Sequence, residues 1–100
     1  MRCDALIDTG FDGELVLPSD LLDRLAWPHR GRRTAILGDG SRTSFSTYRG
    51  NVMWHGGVRA VHVLEGVNDA IVGMRLLVGT RVTMEIVADG AVFVDVLIQE

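Results

Sequence analysis

The chain has 100 residues, of which 47% are hydrophobic, with 12 glycines and 2 prolines, and this composition is typical of a folded domain rather than a disordered segment. Its formal net charge is −3, and its ten basic residues, all arginine, are scattered apart from a cluster at Arg30, Arg32 and Arg33. Nucleic-acid binders usually carry a positive domain or a long basic stripe, so we expect no nucleic-acid partner and interpret the cluster as a solvated loop.

The residues that bear on compartment and metal binding are few. A single cysteine, Cys3, excludes an internal disulfide framework and a cysteine-rich metal site. No apolar run approaches the roughly 18 residues of a membrane span, and the residues before Asp8 do not form a signal peptide. We therefore expect a cytoplasmic protein that does not associate with membranes. His29, His55 and His62 lack the spacing of metal ligands, so neither a metal site nor a cofactor is predicted.

The first third of the chain alternates short apolar stretches with turn residues. Leucines at helical spacing follow a Pro-Ser-Asp sequence that is typical of a helix start. The predicted elements are, in chain order, a strand over Met1 to Ile7, a strand over Glu14 to Pro18, a helix over Asp20 to Leu25 capped by Ser19 or Asp20, and a loop over Ala26 to Arg33.

A tight turn at Gly38-Asp39-Gly40-Ser41 predicts a hairpin with arms over Thr34 to Leu37 and Arg42 to Tyr48. The second arm is polar on both sides of Phe45. A hairpin with little apolar surface to bury should project from the core and move readily, as a flap over a cleft would. A plain solvent-exposed hairpin remains the alternative interpretation.

The rest of the sequence predicts two more hairpins and a short strand that runs into a helix. Val61 and Val63 alternate with Ala60, His62 and Leu64, so His62 should point away from the core. Together the elements predict one mainly β domain over residues 1–100 with one or two short helices. The remaining elements are strands over Asn51 to Trp54 and Val58 to Leu64 around His55-Gly56-Gly57, an apolar strand over Asp69 to Val72 that turns at Gly73 into a helical stretch, and a terminal hairpin over Val82 to Val87 and Ala91 to Leu97.

One stretch carries the residues most suited to catalysis. An apolar run, Ala5 to Ile7, leads into Asp8-Thr9-Gly10, passes Asp12-Gly13, and returns to apolar residues at Leu15 to Leu17. A buried strand that delivers a carboxylate into a glycine-bearing loop suits general acid–base chemistry, with Thr9 beside it to hydrogen-bond the neighbouring backbone. Asp-Thr-Gly and Asp-Gly also occur in ordinary turns, so an unrelated β-rich protein in which they serve only as a turn stays open.

Two motifs resemble a known family. Ala-Leu-Ile-Asp-Thr-Gly-Phe-Asp-Gly over residues 5–13, and Ile-Val-Gly-Met-Arg-Leu-Leu over residues 71–77, resemble the two signatures of the retropepsin-like (clan AA) aspartic peptidases, in their small prokaryotic single-domain form. The Gly38 to Ser41 hairpin lies between them, in the family's order. The resemblance implies the acid-protease fold, a closed, orthogonal β-barrel, and a homodimer that cleaves peptide or protein substrates.

The resemblance also implies a role for each motif residue. One Asp8 from each chain would form the catalytic pair, in which the ionised carboxylate takes a proton from a bridging water and the protonated one donates to the scissile carbonyl. Two carboxylates a few ångströms apart cannot both ionise, as in the aspartic-protease dyad. Thr9 would lock the two loops together, and Gly10 would let the substrate backbone approach closely. The implied substrate-binding residues are Phe11, Asp12, Leu37, Gly38, Asp39, Gly40, Ser41 and Ile71.

Two departures from the family pattern shape the expectations. Met74 follows Gly73 where many members have an arginine that pairs with the acid equivalent to Asp12, and Arg75 comes one residue later. The family also places an extra strand or hairpin before the catalytic strand, so either the chain is longer upstream or the terminal hairpin takes that place. A non-catalytic retropepsin-like domain for dimerisation or peptide binding is therefore the main alternative to a peptidase.

Overall fold

The computed structural model describes residues 3–36 and 39–97, and most of them are in strands. The mainly β class with two short helices is confirmed. None of the described helices is long and apolar enough to cross a membrane. The elements are β1 (Ala5–Ile7), β2 (Leu15–Pro18), α1 (Ser19–Leu25), β3 (His29–Ile36), β4 (Arg42–Trp54), β5 (Gly57–Gly66), β6 (Ala70–Val72), α2 (Met74–Leu77), β7 (Thr80–Met84) and β8 (Val92–Val96).

Six of the strands form one sheet in the order β1-β6-β2-β5-β4-β3, and β7 and β8 pair as a separate antiparallel ribbon. Strand β6 runs parallel to β1 and antiparallel to β2, so it lies between two strands that precede it in the chain. Strand β2 runs parallel to β5, and β3, β4 and β5 pair antiparallel. Within the described residues no ladder joins β1 to β3, so both are sheet edges and no closed barrel is found there.

The core lies on one face of the six-stranded sheet. Side chains alternate between the faces of a strand, and this places Leu15 and Leu17 of β2 beside Val61 and Val63 of β5. Leu17 is 2% exposed and Val63 is 0% exposed, and each such side chain contributes roughly 1.5–3 kcal/mol by leaving water. The other buried members of this core are Leu22 of α1, Ala70 and Val72 of β6, and Leu76 and Leu77 of α2.

The opposite face of the sheet, which we call the cleft face, follows from the same registers. Ile71 of β6 is paired with Val16 of β2, Val16 with Leu64 of β5, and Leu64 with Thr47 of β4. These side chains are half-buried rather than buried. Phe45 lies two residues before Thr47 and therefore belongs to the same face. The cleft face is thus a partly apolar surface that α1 does not cover.

The hairpin of β4 and β5 is confirmed, and it is longer than predicted. Strand β4 continues without a break from Arg42 to Trp54, so it serves both predicted hairpins. The turn residues His55 and Gly56 have φ values of 54° and 77°, as a two-residue type I′ turn requires. As predicted, His62 is exposed while its neighbours Val61 and Val63 are buried.

The loop predicted over Ala26 to Arg33 is wrong from His29 onward, because β3 begins there and pairs along β4. Trp27 explains the local path, since its ring packs directly over Gly50 of β4, where any Cβ would overlap it. The register shifts between His29 and Gly31, whose φ of 127° suits glycine at a bulge. The arginine cluster is therefore part of an edge strand and not of a solvated loop.

The predicted helix cap is also wrong. Helix α1 begins at Ser19, and its N-cap is Pro18, in an extended conformation, with no side-chain cap hydrogen bond. Since β2 runs to Pro18, the chain passes from strand to helix without a linking residue. Asp20 instead lies in the first turn, where its charge is favourable beside the positive end of the helix dipole.

Candidate functional site

Asp8 directly follows β1, and backbone pairing fixes its position. Its N–H donates to the Val72 carbonyl oxygen at 3.0 Å, which continues the pairing of β1 with β6. Its Oδ1 accepts the Gly10 N–H at 2.9 Å, and the Phe11 N–H donates to the Asp8 carbonyl oxygen at 3.2 Å. The carboxylate is therefore held in a tight turn of the Asx kind, exposed to solvent, with Oδ2 making no hydrogen bond to the described residues.

The two sequence motifs meet in space. We call residues 8–14 the acid loop, and its carbonyl oxygens accept the first backbone N–H groups around α2. Gly73 donates to Glu14 at 2.9 Å, Met74 to Phe11 at 2.8 Å, and Arg75 to Gly13 at 3.1 Å. A helix start leaves such donors without partners of its own, so the acid loop satisfies them. The acid loop and the start of α2 are one structural unit.

Close packing of this unit requires two of its glycines. A Cβ at Gly13 would lie 2.5 Å from the Phe11 ring. A Cβ at Gly73 would overlap both the Phe11 ring and the Gly13 carbonyl oxygen. Both glycines are therefore explained by contact with the ring of Phe11, and Gly73 also by contact with the backbone of Gly13.

A buried carboxylate anchors the acid loop to the sheet. Glu14 is 9% exposed, its Oε1 accepts the His62 N–H at 3.0 Å, and its Oε2 lies 3.3 Å from Arg59 Nη2. Arg59 Nη1 also donates to the Leu76 carbonyl oxygen at 3.4 Å. Sequence reasoning missed this ion pair. Its one local signal is a glutamate directly before the apolar Leu15 to Leu17 of a strand.

A cleft of about 870 Å³ opens beside Asp8, between the acid loop and the β3–β4 hairpin. Of the predicted site residues, it brings together Asp8, Gly10, Phe11, Asp12 and Ile71. Its floor is the cleft face of the sheet. Lining residues that the sequence did not indicate include Val16, Arg33, Phe45, Leu64 and Asp69.

The other predicted site residues lie apart from this cleft or outside the described structure. Asp39, Gly40 and Ser41 are exposed at the hairpin tip and line none of the described cavities. Asp39 Oδ1 accepts the Ser41 hydroxyl at 2.6 Å and the Ser41 N–H at 2.9 Å, and these hydrogen bonds lower the pKa of Asp39 below its ordinary value. Leu37 and Gly38 lie outside the described residues.

The surroundings of Thr9 and Arg75 bear on the roles that the resemblance implies. Thr9 is exposed, and its hydroxyl makes no hydrogen bond to any described residue, so its hydrogen bonding to neighbouring backbone stays a prediction. Arg75 and Asp12 line a common cavity of about 360 Å³ without forming an ion pair. Across residues 3–36 and 39–97, the ion pair found is that of Glu14 with Arg59.

Chemically, the site presents three solvent-accessible carboxylates, those of Asp8, Asp12 and Asp69, around a cleft of about 870 Å³. The described residues contain no group of three His, Cys, Asp or Glu side chains placed to hold a metal ion. No family model, curated protein or solved structure matches the chain. The function therefore has to be argued from the geometry of the acid loop and its cleft.

Proposed function

We propose that the protein is an aspartic endopeptidase of the retropepsin-like type, in which two chains each contribute Asp8 to one active site. The observation that carries the proposal is the joining of the Asp8-Thr9-Gly10 loop to the Gly73 motif through backbone hydrogen bonds, at the wall of the cleft. An ordinary Asp-Thr-Gly turn needs no such partner. Here a distant segment holds the loop that carries the carboxylate, and such preorganisation is what a catalytic group requires.

The cleft supports a peptide as the substrate. Its floor is apolar at Val16, Leu64 and Ile71, while Asp8 and Asp12 supply polar groups at one side. An extended peptide rises about 3.3 Å per residue and alternates its side chains, so it can contact such a floor with every second residue. We extend the proposal to the hairpin of β3 and β4, which forms the opposite wall and would act as the flap.

The chemistry of peptide hydrolysis and the exposed apolar surface both support a dimer. Peptide hydrolysis of this kind uses one carboxylate as base and another as acid, and a two-fold axis beside Asp8 would supply both. Large apolar side chains are exposed on the β7–β8 ribbon, including Ile86 at 85% and Phe93 at 52%, and Leu6 beside Asp8 is 56% exposed. Burying this surface against a second copy would favour a dimer. In the proposed acid-protease fold, contacts between the two chains would cover the sheet edges at β1 and β3.

In the mechanism that we propose, the ionised Asp8 takes a proton from a water that bridges the two carboxylates. That water attacks the scissile carbonyl carbon while the protonated Asp8 of the second chain donates its proton to the carbonyl oxygen. Collapse of the tetrahedral intermediate breaks the C–N bond: the Asp8 that took the proton from water gives it to the leaving amine, and a hydroxyl of the intermediate returns a proton to the Asp8 of the second chain. Asp12, exposed at the cleft wall, would accept a hydrogen bond from the substrate backbone.

A peptide-binding or dimerisation domain without turnover is the second candidate function. One observation favours it: a single chain lines the whole cleft, whereas the carboxylate pair needs two chains. Binding could therefore persist where catalysis does not.

The test compares the natural chain with Asp8→Asn, using an unfolded protein and a peptide library as substrates between about pH 4 and pH 7. Asp8→Asn keeps the shape of the side chain and removes the charge, so cleavage should disappear while the dimer persists. Asp23→Asn, on the exposed side of α1, is the matched control and should cleave normally. Specific activity should also rise with protein concentration through the dimer dissociation constant. Cleavage retained by Asp8→Asn would refute the mechanism, and peptide binding without cleavage would establish the second candidate.

A further inference from the structure

The smaller cavity, of about 360 Å³, lies next to the cleft and carries an excess of arginine. Arg32 and Arg33 of β3 and Arg75 of α2 line it, together with the acidic side chains Asp12 and Glu14. Glu14 is already matched by Arg59. Adjacent residues of a strand point to opposite faces, so Arg33 and Arg75 supply the guanidinium groups of the cavity, against the single remaining carboxylate of Asp12.

The arginines of this cavity keep their charge available. Arg32 lies on the opposite face of β3, where it donates to the Ser46 hydroxyl and to the Ser44 carbonyl oxygen, both at 3.3 Å. Within the described chain, no carboxylate lies within 4.0 Å of the guanidinium nitrogens of Arg33 or Arg75. The cavity therefore carries two arginines, Arg33 and Arg75, against Asp12, and Arg33 and Asp12 lie together where it meets the cleft.

Arg33 connects the two spaces. It is paired with Phe45, whose side chain lies on the cleft face, and by register its own side chain lies on that face too. It lines both the cleft beside Asp8 and the smaller cavity. Arg33 and the acid-loop residues Phe11 to Gly13 therefore lie where the cleft meets the smaller cavity.

We propose that this cavity is a subsite for a carboxylate of a peptide bound in the cleft. A guanidinium group matches a carboxylate with two parallel hydrogen bonds, which neither a neutral amide nor an apolar side chain can accept in the same way. The inference rests on the proposed function only in placing a peptide in the cleft, and it would give that site a preference for acidic sequences.

The carboxylate could belong to a Glu or Asp side chain or to the end of the peptide, and binding experiments separate the two. The Asp8→Asn chain, which should not cleave, is titrated against fluorescent peptides that carry Glu or Gln at one scanned position, each with a free or an amidated C-terminus. We expect Glu to bind about 2- to 5-fold more tightly than Gln at one register, the range typical of ion pairs between exposed groups. If tighter binding depends only on whether the C-terminus is free, the subsite binds the C-terminal carboxylate of the peptide and not a side chain.

Variants of the cavity give the decisive comparison. Arg33→Gln and Arg75→Gln should each reduce the preference for the carboxylate, and the double variant should abolish it. Arg33→Lys keeps the positive charge but lacks the two parallel N–H donors of a guanidinium group, so it should retain part of the preference for the carboxylate. Arg81→Gln, on the exposed side of β7, is the control and should change nothing.

Equal binding of all four peptides, or a preference that survives in the double variant, would overturn the inference. Because binding is measured without turnover, loss of the peptidase proposal would leave this result interpretable.

Discussion

Phe11 and its two glycines show how closely single residues determine the candidate site. The ring occupies the space above Gly13 and Gly73, so the acid loop and the start of α2 approach each other at backbone distance. A motif glycine is often explained by turn geometry alone. In this chain neither Gly13 nor Gly73 has a positive φ, and contact is the physical reason for both.

We predict that Gly13→Ala lowers the free energy of unfolding by about 1–3 kcal/mol, because the added methyl group overlaps the Phe11 ring. Phe11→Ala should remove most of that penalty, so the double variant should be more stable than the sum of the two single changes allows. Gly73→Ala should not be rescued in this way, because the Gly13 carbonyl oxygen also blocks its Cβ. Urea unfolding of both double-mutant cycles measures the coupling, and additive effects at Gly13 would contradict the contact.

The Glu14–Arg59 pair makes a second prediction at this scale. Arg59→Gln leaves a buried carboxylate with the His62 N–H as its remaining partner, and we expect a loss of about 1–3 kcal/mol of unfolding free energy. The lower figures apply because the Arg59 side chain is itself 36% exposed and solvent screens its charge. Arg49→Gln, an exposed arginine of β4, should cost far less. Equal stability of the two variants in urea would show that the pair contributes nothing.

At the scale of elements, the sequence predicted what depends on neighbouring residues. The alternation around Val61 and Val63 located β5, and the turn at His55 and Gly56 located its hairpin, because period and turn chemistry are local. The start of β3 was missed because pairing with β4 overrides the loop-like composition of its first residues. Because Arg33 was predicted to lie in a loop, the sequence did not place it in the candidate site. The insertion of β6 between β1 and β2 involves distant segments, and no local pattern indicates it.

The tip of the β3–β4 hairpin gives a prediction about pH. The folded-state pKa of Asp39 is lowered by its bonds to Ser41, so the ionised carboxylate stabilises the turn. This stabilisation is fully present above the pKa of the unfolded chain and is lost as the pH falls through the lowered folded-state pKa. Ser41→Ala should therefore raise the Asp39 pKa toward its ordinary value, as followed by the NMR shift of the carboxyl carbon. Thr43→Ala on the same hairpin is the control, and an unchanged pKa in Ser41→Ala would refute the assignment.

At the scale of the whole molecule, the exposed apolar side chains of the β7–β8 ribbon are the main feature without a partner in one chain. Val82 and Val94 pack toward the core, while Phe93, Val96 and Ile86 remain in contact with solvent. Exposing such an apolar surface to water is unfavourable and promotes aggregation in a chain that stays monomeric. The proposed dimer would explain it.

We predict that Phe93→Asp weakens self-association at least tenfold, because it places a charge in the apolar interface that the proposal requires. Sedimentation velocity over a range of concentrations measures the dissociation constant. Val58→Asp, at an exposed position on the β4–β5 hairpin, is the control and should not change it. A natural chain that stays monomeric at every concentration would refute the dimer, and an unchanged constant in Phe93→Asp would place its interface elsewhere.

The position of β6 between β1 and β2 also bears on how the chain is made. Strand β1 pairs with β6, so β1 cannot form this pairing until the ribosome has added the 65 residues that follow Ile7, up to Val72. At about 5–20 residues per second this delay is roughly 3–13 s. Until then Asp8 lacks the backbone bond that positions it, and the acid loop lacks the donors of α2. A nascent chain therefore carries the acidic motif several seconds before the acid loop can gain its backbone hydrogen bonds to β6 and α2.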